Sequence, residues 1–137
     1  MTLALVGCQS WEVQIDLLDA ISKETGLEFK VQDMAFDGLL PALQTKKVDM
    51  VIAGMSATPE RKKAVAFSKS YFKAKQVVIT KGVDKSLKSF KDLAGKKVGV
   101  MLGFTGDTVV SEIKGVKVER FNASYAAIMA LSQNKVD

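Results

Sequence analysis

The stretch Gly54-Met55-Ser56-Ala57-Thr58-Pro59-Glu60-Arg61 holds the residues best suited to chemistry in this chain. The guanidinium of Arg61 is a planar fork of donors that matches a carboxylate. Ser56 adds a hydroxyl, and a glycine at position 54 lets a ligand approach the backbone. Thr58-Pro59-Glu60 reads as a helix start, with a capping hydroxyl followed by proline at the first helical position. Helix N-termini attract anions, so the segment is expected to form a carboxylate-binding corner. An ordinary capped helix with a surface arginine fits the same residues. Gly103-Phe104-Thr105-Gly106-Asp107 repeats the arrangement later in the chain. There the Thr105 hydroxyl and the backbone N–H groups around Gly106 suit an anion. A phosphate loop would need a following Lys-Ser/Thr, which is absent. Two such corners predict one carboxylate gripped by two lobes, although a plain strand-to-helix turn also accounts for the second. Phe36 reads either as a wall for a ligand side chain or as a core aromatic. Trp11, Tyr71 and Phe72 read as packing residues.

Other chemistries are hard to assemble. There is no histidine and one cysteine, Cys8. Histidine-based triads, histidine metal sites and an internal disulfide are therefore excluded, and Cys8 has no histidine to activate it. Asp33, Asp37 and Asp49 fall at predicted turns without the spacing of calcium or magnesium ligands. No enzyme activity, cofactor or metal is expected. The net charge of +5 comes from scattered lysines, with Arg61 and Arg120 the only arginines. A nucleic-acid binder would concentrate its basic residues beside arginine or aromatic readers, so no nucleic-acid partner is expected. Hydrophobic residues at 47% and charged residues at 26% describe a globular chain. No apolar run approaches the ~20 residues needed to cross a bilayer.

The elements that must position these residues follow from periodicity. Thr2 to Gly7 is a short apolar run read as a strand. Leu5-Val6-Gly7-Cys8 also has the look of a bacterial lipobox, but Met1-Thr2-Leu3-Ala4 supplies neither the basic region nor the apolar core of a signal. Val13, Leu17, Leu18 and Ile21 recur at helical spacing up to Gly26. Leu27, Phe29 and Val31 alternate with polar residues, as in a strand. Phe36 to Thr45 reads as a helix burying Leu39, Leu40 and Leu43, its start shifted towards Pro41. Met50 to Ala53 reads as a strand covered on both faces. The second half gives strands at Gln76–Thr80, Lys97–Met101 and Val116–Phe121, a helical turn at Ser89–Leu93, and helices at Thr108–Ile113 and Ser124–Asn134. Both halves alternate strand and helix, which predicts an α/β fold with parallel sheets. Each corner then follows a strand, at the edge where open α/β sheets bind ligands.

An internal repeat supports two similar lobes: Ala42-Leu43-x-x-x-Lys47-Val48-Asp49 recurs as Ala130-Leu131-x-x-x-Lys135-Val136-Asp137. Chance matching of a common helix-to-strand turn is the alternative. The expected division is lobe 1 at 1–81, a connector or hinge at 82–88 and a partial lobe 2 at 89–137. A sheet lacking an element would expose backbone groups and apolar surface, so a homo-oligomer formed through sheet edges or exchanged elements is a further expectation.

The runs Met34–Gln44, Val48-Asp49, Ile52–Lys63 and Phe67-Ser68, then Leu93-x-Gly95-Lys96-Lys97-Val98-Gly99-Val100 and Gly103-x-Thr105-Gly106-Asp107, closely resemble the polar-amino-acid solute-binding proteins of ABC transporters. The resemblance spans roughly Ile15 to Asp137, and the glutamine-binding branch looks closest. It implies a type II periplasmic-binding-protein-like fold of two α/β lobes closing on one amino acid. It also implies a periplasmic or cell-surface setting and an ABC permease as partner. In such proteins the arginine matching Arg61 pairs with the ligand carboxylate, and the residues matching Gly54 and Ser56 assist. The turn matching Thr105 and Gly106 grips the same group, and the aromatic matching Phe36 stacks on the ligand side chain. Departures are visible. Gly7 to Trp11 stands where the family has a longer segment, Glu12 to Asp16 departs from the usual Gly-Phe-Asp-Val-Asp, and the strand carrying the family's amino-group aspartate would come after Asp137. The chain is thus read as truncated at both ends with the second lobe incomplete. Two functions are expected: capture of a polar L-amino acid for import, or a non-binding fragment stabilised by oligomerisation or element swapping.

Overall fold

In the computed structural model, which describes residues 1–5, 11–82 and 87–137, the apolar run after Met1 forms strand β1 (Thr2–Leu5). Cys8, with the lipobox reading, and the side chain of Trp11 lie outside the described residues. Helix α1 (Trp11–Thr25) ends at Gly26, which takes the left-handed backbone (φ +69°) that stops a helix. Its buried stripe differs in phase from the expected one. Gln14 and Leu18 are buried, while Val13 is 45% exposed. Strand β2 (Lys30–Asp33) follows, starting later than the alternation from Leu27 suggests. A short 3-10 turn at Phe36–Gly38 leads into helix α2 (Leu39–Gln44), and strand β3 (Met50–Ile52) completes a sheet. Pro41 sits in the first turn of α2, where its missing N–H costs nothing. Leu39 and Ala42 are the fully buried residues of α2, with Leu40 and Leu43 half-buried.

The sheet order is β2-β1-β3, all parallel, with Leu3 opposite both Val31 and Met50. The central strand is therefore β1. β3 is an edge strand, and Met50 and Val51 are half-buried instead of covered on both faces. Leu3, Leu18 and Ile52 form one core cluster here, joined by Ile15, Leu17, Ile21, Phe29 and Met50. Helix α3 (Pro59–Ala64) then carries no buried residue.

The chain divides into two units, Met1–Phe72 and Lys73–Asp137. The division falls well ahead of the expected connector at 82–88, of which 83–86 lie outside the described residues. Residues 66–80 form neither helix nor strand, so the expected strand at Gln76–Thr80 is absent. β-branched residues favour an extended chain, but a strand also needs a neighbour to take its backbone hydrogen bonds. The sheet of the second unit is β4-β5, and the run leaves Val77 75% and Ile79 61% exposed.

In the second unit a 3-10 turn at Phe90–Leu93 precedes strand β4 (Lys97–Met101), helix α4 (Thr105–Ser111), strand β5 (Lys117–Phe121) and helix α5 (Ser124–Ser132). Helix α4 starts three residues before the predicted Thr108, because Thr105 and Gly106 already turn helically. Leu93, Val100 and Val110 form a separate core.

The internal repeat is structural. Lys46 and Asn134 both take left-handed backbone, at φ 59° and 58°. Lys47 N–H donates to the Ala42 carbonyl at 2.9 Å, and Lys135 N–H donates to that of Ala130 at 2.8 Å. Ala42, Val48, Ala130 and Val136 are all buried. Asp49 Oδ2 accepts Thr2 N–H at 2.6 Å, and Asp137 Oδ2 accepts Lys97 N–H at 2.7 Å. The Asp49 and Asp137 N–H groups donate back to the carbonyls of Thr2 and Lys97. In each copy the aspartate ties the turn to the first residue of the leading strand.

Candidate functional site

The chain leaves β3 through Ala53 and turns at once, the Met55 N–H donating to the Ala53 carbonyl at 2.7 Å. Thr58 caps α3 as its sequence predicts, its hydroxyl accepting the Arg61 N–H at 3.4 Å with Pro59 next in line. Capping fixes where Arg61 stands, one turn into the helix. Its Nη1 donates to the Ser56 carbonyl at 2.9 Å, which also accepts the Thr58 N–H at 3.0 Å. The guanidinium carbon lies 5.6 Å from the centroid of the Phe36 ring, within cation–π range. Phe36 is 7% exposed and comes from the turn after β2. Because β2 and β3 are parallel and flank β1, the segments that leave their C-terminal ends emerge on one edge of the sheet. This is the edge, beside a change of strand order, where open α/β sheets take ligands.

Burial lowers the Arg61 guanidinium from its ordinary value, yet a guanidinium so shifted stays charged at neutral pH. A half-buried cation over an aromatic wall suits a planar anion with an apolar extension. Gly54 opens this corner, since a Cβ placed there would meet no heavy atom within 4 Å. The first unit therefore gathers Phe36, Ser56 and Arg61 in one place and leaves space beside Gly54. Tyr71 was expected to pack. It is instead 48% exposed, and its hydroxyl donates to the Ala53 carbonyl at 3.0 Å. Burial raises its phenol above the ordinary value. Phe72 is also exposed, at 59%.

In the second unit, Gly103 takes φ +75° and turns the chain from β4 into α4, whose first residues are Thr105 and Gly106. A Cβ on Gly106 would come within 3.2 Å of Gln76 Oε1, so glycine permits a close approach there. Asp107, next in the chain, is 7% exposed. Its carboxylate accepts the Gly103 N–H at 3.2 Å, the Ser111 hydroxyl at 3.0 Å and Arg120 Nε at 3.0 Å. Burial acts to raise this carboxyl. The bonds from Arg120, Gly103 and Ser111, with the Arg120 charge, outweigh that and hold it below its ordinary value. Sequence reasoning gave Arg120 and Ser111 no role in a site and read Tyr71 as a packing residue. For Arg120 a signal was present, since it is the second of two arginines in a lysine-rich chain. Among the described residues no group of three or more His, Cys, Asp or Glu is placed to hold a metal. No described helix is long and apolar enough to cross a membrane.

The bacterial extracellular solute-binding proteins, family 3, match residues 13–135. The chain belongs to that family. The family's description is of solute-binding proteins, not of enzymes. A probable histidine-binding protein of Campylobacter jejuni is 38% identical over 122 residues, covering 89% of this chain and 48% of the relative. An arginine-binding extracellular protein of Bacillus subtilis is 39% identical over 126 residues, covering 90% of this chain and 49% of the relative. The arginine-bound form of a truncated ArgBP from T. maritima superposes with a TM-score of 0.91 at 40% identity, covering all of this chain and 70% of that one. The two-lobed α/β periplasmic-binding fold is thus shared with a solved relative. The chain spans about half the length of the curated relatives it matches. Those named here carry histidine and arginine in their names, where the sequence pointed to the glutamine-binding branch.

Proposed function

We propose that this chain captures an L-amino acid with a polar or basic side chain, as the solute-binding component of an ABC importer in a periplasmic or cell-surface setting. Arg61 pairs with the ligand α-carboxylate, assisted by Ser56 and by the open backbone at Gly54. Phe36 lines the ligand's side chain. Thr105 and Gly106 supply a donor set of their own from the second unit. The observation that carries the reading is the cluster at the sheet edge: a half-buried guanidinium over the Phe36 ring and fixed by the Ser56 carbonyl. The histidine- and arginine-binding relatives support a basic ligand.

Calorimetry with the twenty amino acids tests this. L-arginine or L-histidine is expected to bind, and agmatine, which is arginine without its carboxylate, is expected not to. Arg61→Ala is expected to weaken binding by about 2–5 kcal/mol, the loss for one partner of a desolvated charge pair. No heat with any amino acid would overturn the reading.

A second reading rests on apolar surface. Val77, Val78 and Ile79, and on α5 Tyr125, Ile128 and Met129, are all exposed. A chain of this kind is stabilised by self-association through those residues and binds no ligand. Sedimentation of a strict monomer at high concentration, with an amino acid bound, rejects it.

A further inference from the structure

Asp107 is the third residue of α4, and its carboxylate faces back to the turn that precedes the helix. Oδ2 accepts the Gly103 N–H at 3.2 Å and Arg120 Nε at 3.0 Å. Oδ1 accepts the same Nε and the Ser111 hydroxyl, each at 3.0 Å. Arg120 Nη2 closes the ring by donating to the Ser111 oxygen at 2.9 Å. Arg120 stands on β5 opposite Val100 of β4. One buried carboxylate therefore fastens the turn to its own helix and to the neighbouring strand. Gly103 is the pivot, in left-handed backbone.

We propose that Asp107, Arg120 and Ser111 are positioning residues for the Gly103–Gly106 turn, holding its donors in the geometry a ligand carboxylate needs while Arg120 cancels the charge of Asp107. The proposal rests on the reading of Thr105 and Gly106 as ligand contacts. Two physical requirements explain the residue types. Gly103 N–H, Arg120 Nε and the Ser111 hydroxyl all point donors at residue 107, so only a group that accepts on both sides satisfies them. An asparagine presents one acceptor and turns an NH2 group towards a donor. A bare aspartate beside an anion-binding turn would repel the ligand, and the guanidinium laid across both oxygens removes that repulsion.

The test uses the whole chain and two readouts, one of which needs no ligand. Amide hydrogen exchange follows Gly103, Thr105 and Gly106, and calorimetry follows L-arginine. Asp107→Asn is expected to speed Gly103 exchange and to weaken L-arginine by about tenfold, the scale of one charge-assisted hydrogen bond. Ser111→Ala, a milder change, shifts both in the same direction should Asp107→Asn fail to fold. Affinity should fall in the order wild type, Arg120→Lys, Arg120→Gln, since lysine restores the charge without the planar fork. Glu119→Gln, which removes the exposed pair with Lys97, should leave both readouts unchanged. Unchanged Gly103 exchange in folded Asp107→Asn and Ser111→Ala overturns the positioning claim, whatever the ligand result. Faster exchange with unaltered affinity overturns the link to the ligand. Wild-type protein that takes up no amino acid refutes the functional reading and, with it, that link, while the exchange data still decide what holds the turn.

Discussion

At Arg61, three weak constraints converge on one side chain: a capped helix start, a carbonyl acceptor and an aromatic face. None of them alone fixes a long, flexible side chain, but together they hold the guanidinium in place, which would lower the entropy cost of the carboxylate pairing proposed for it. Gly54 allows a cleaner test than Arg61. A methyl group at position 54 meets no protein atom, so Gly54→Ala is expected to leave the melting temperature nearly unchanged while weakening amino-acid binding. Equal loss of stability and affinity would place Gly54 in the fold and not in the site. Asp107 makes a prediction about acid. Its folded carboxyl lies below the ordinary value, so its stabilisation is fully present above the unfolded value of ~3.9 and disappears as pH falls through the folded value. Asp107→Asn should therefore lower stability at pH 7 and flatten the decline below about pH 4, as read by thermal melts across that range. The residue types of the Arg61 corner were legible from sequence because capping and proline are local rules. The Asp107–Arg120 ring was not, because its partners lie on a helix and a strand whose register only folding sets.

Elements repeat across the chain, and the repeated unit is a helix, a left-handed residue and an aspartate that holds the start of the leading strand. Lys46 and Asn134 occupy the same strained position with different side chains, and asparagine tolerates it better. Lys46→Gly is accordingly expected to stabilise the first unit by up to about 1 kcal/mol, read from chemical denaturation. Asp49→Ala removes the acceptor of the Thr2 N–H. At this exposed position water replaces it, so a loss of about 1 kcal/mol is expected. A loss no larger than that of a neutral surface change would detach Asp49 from the strand. β4 adds a packing constraint, since a Cβ on Gly99 would stand 3.1 Å from the Phe121 ring.

For the molecule as a whole, the separation of two core clusters among the described residues is the deciding feature. Leu3, Leu18 and Ile52 serve Met1–Phe72, and Leu93, Val100 and Val110 serve Lys73–Asp137. Separate small cores predict separate cooperative units. Hydrogen exchange should show that Leu18→Ala lowers protection in the first unit only and Leu93→Ala in the second only. Each truncation is expected to cost about 2–5 kcal/mol within its unit. A uniform fall across the chain would mean that the two units unfold together.

By itself, the sequence determined the α/β class, the parallel sheets, the repeat and the capped helix start that carries Arg61. Periodicity, capping and turn chemistry act over a few residues and leave a direct trace in the residue order. Tertiary structure alone decided that β1 is central and β3 lies at an edge, that Gln76–Thr80 stays unpaired, and that Arg120 closes on Asp107. Each of these depends on which backbone or side chain stands next to another far along the chain. Pairing is a property of neighbours in space, and a β-branched run such as Val77-Val78-Ile79 carries the propensity for a strand without carrying its partner.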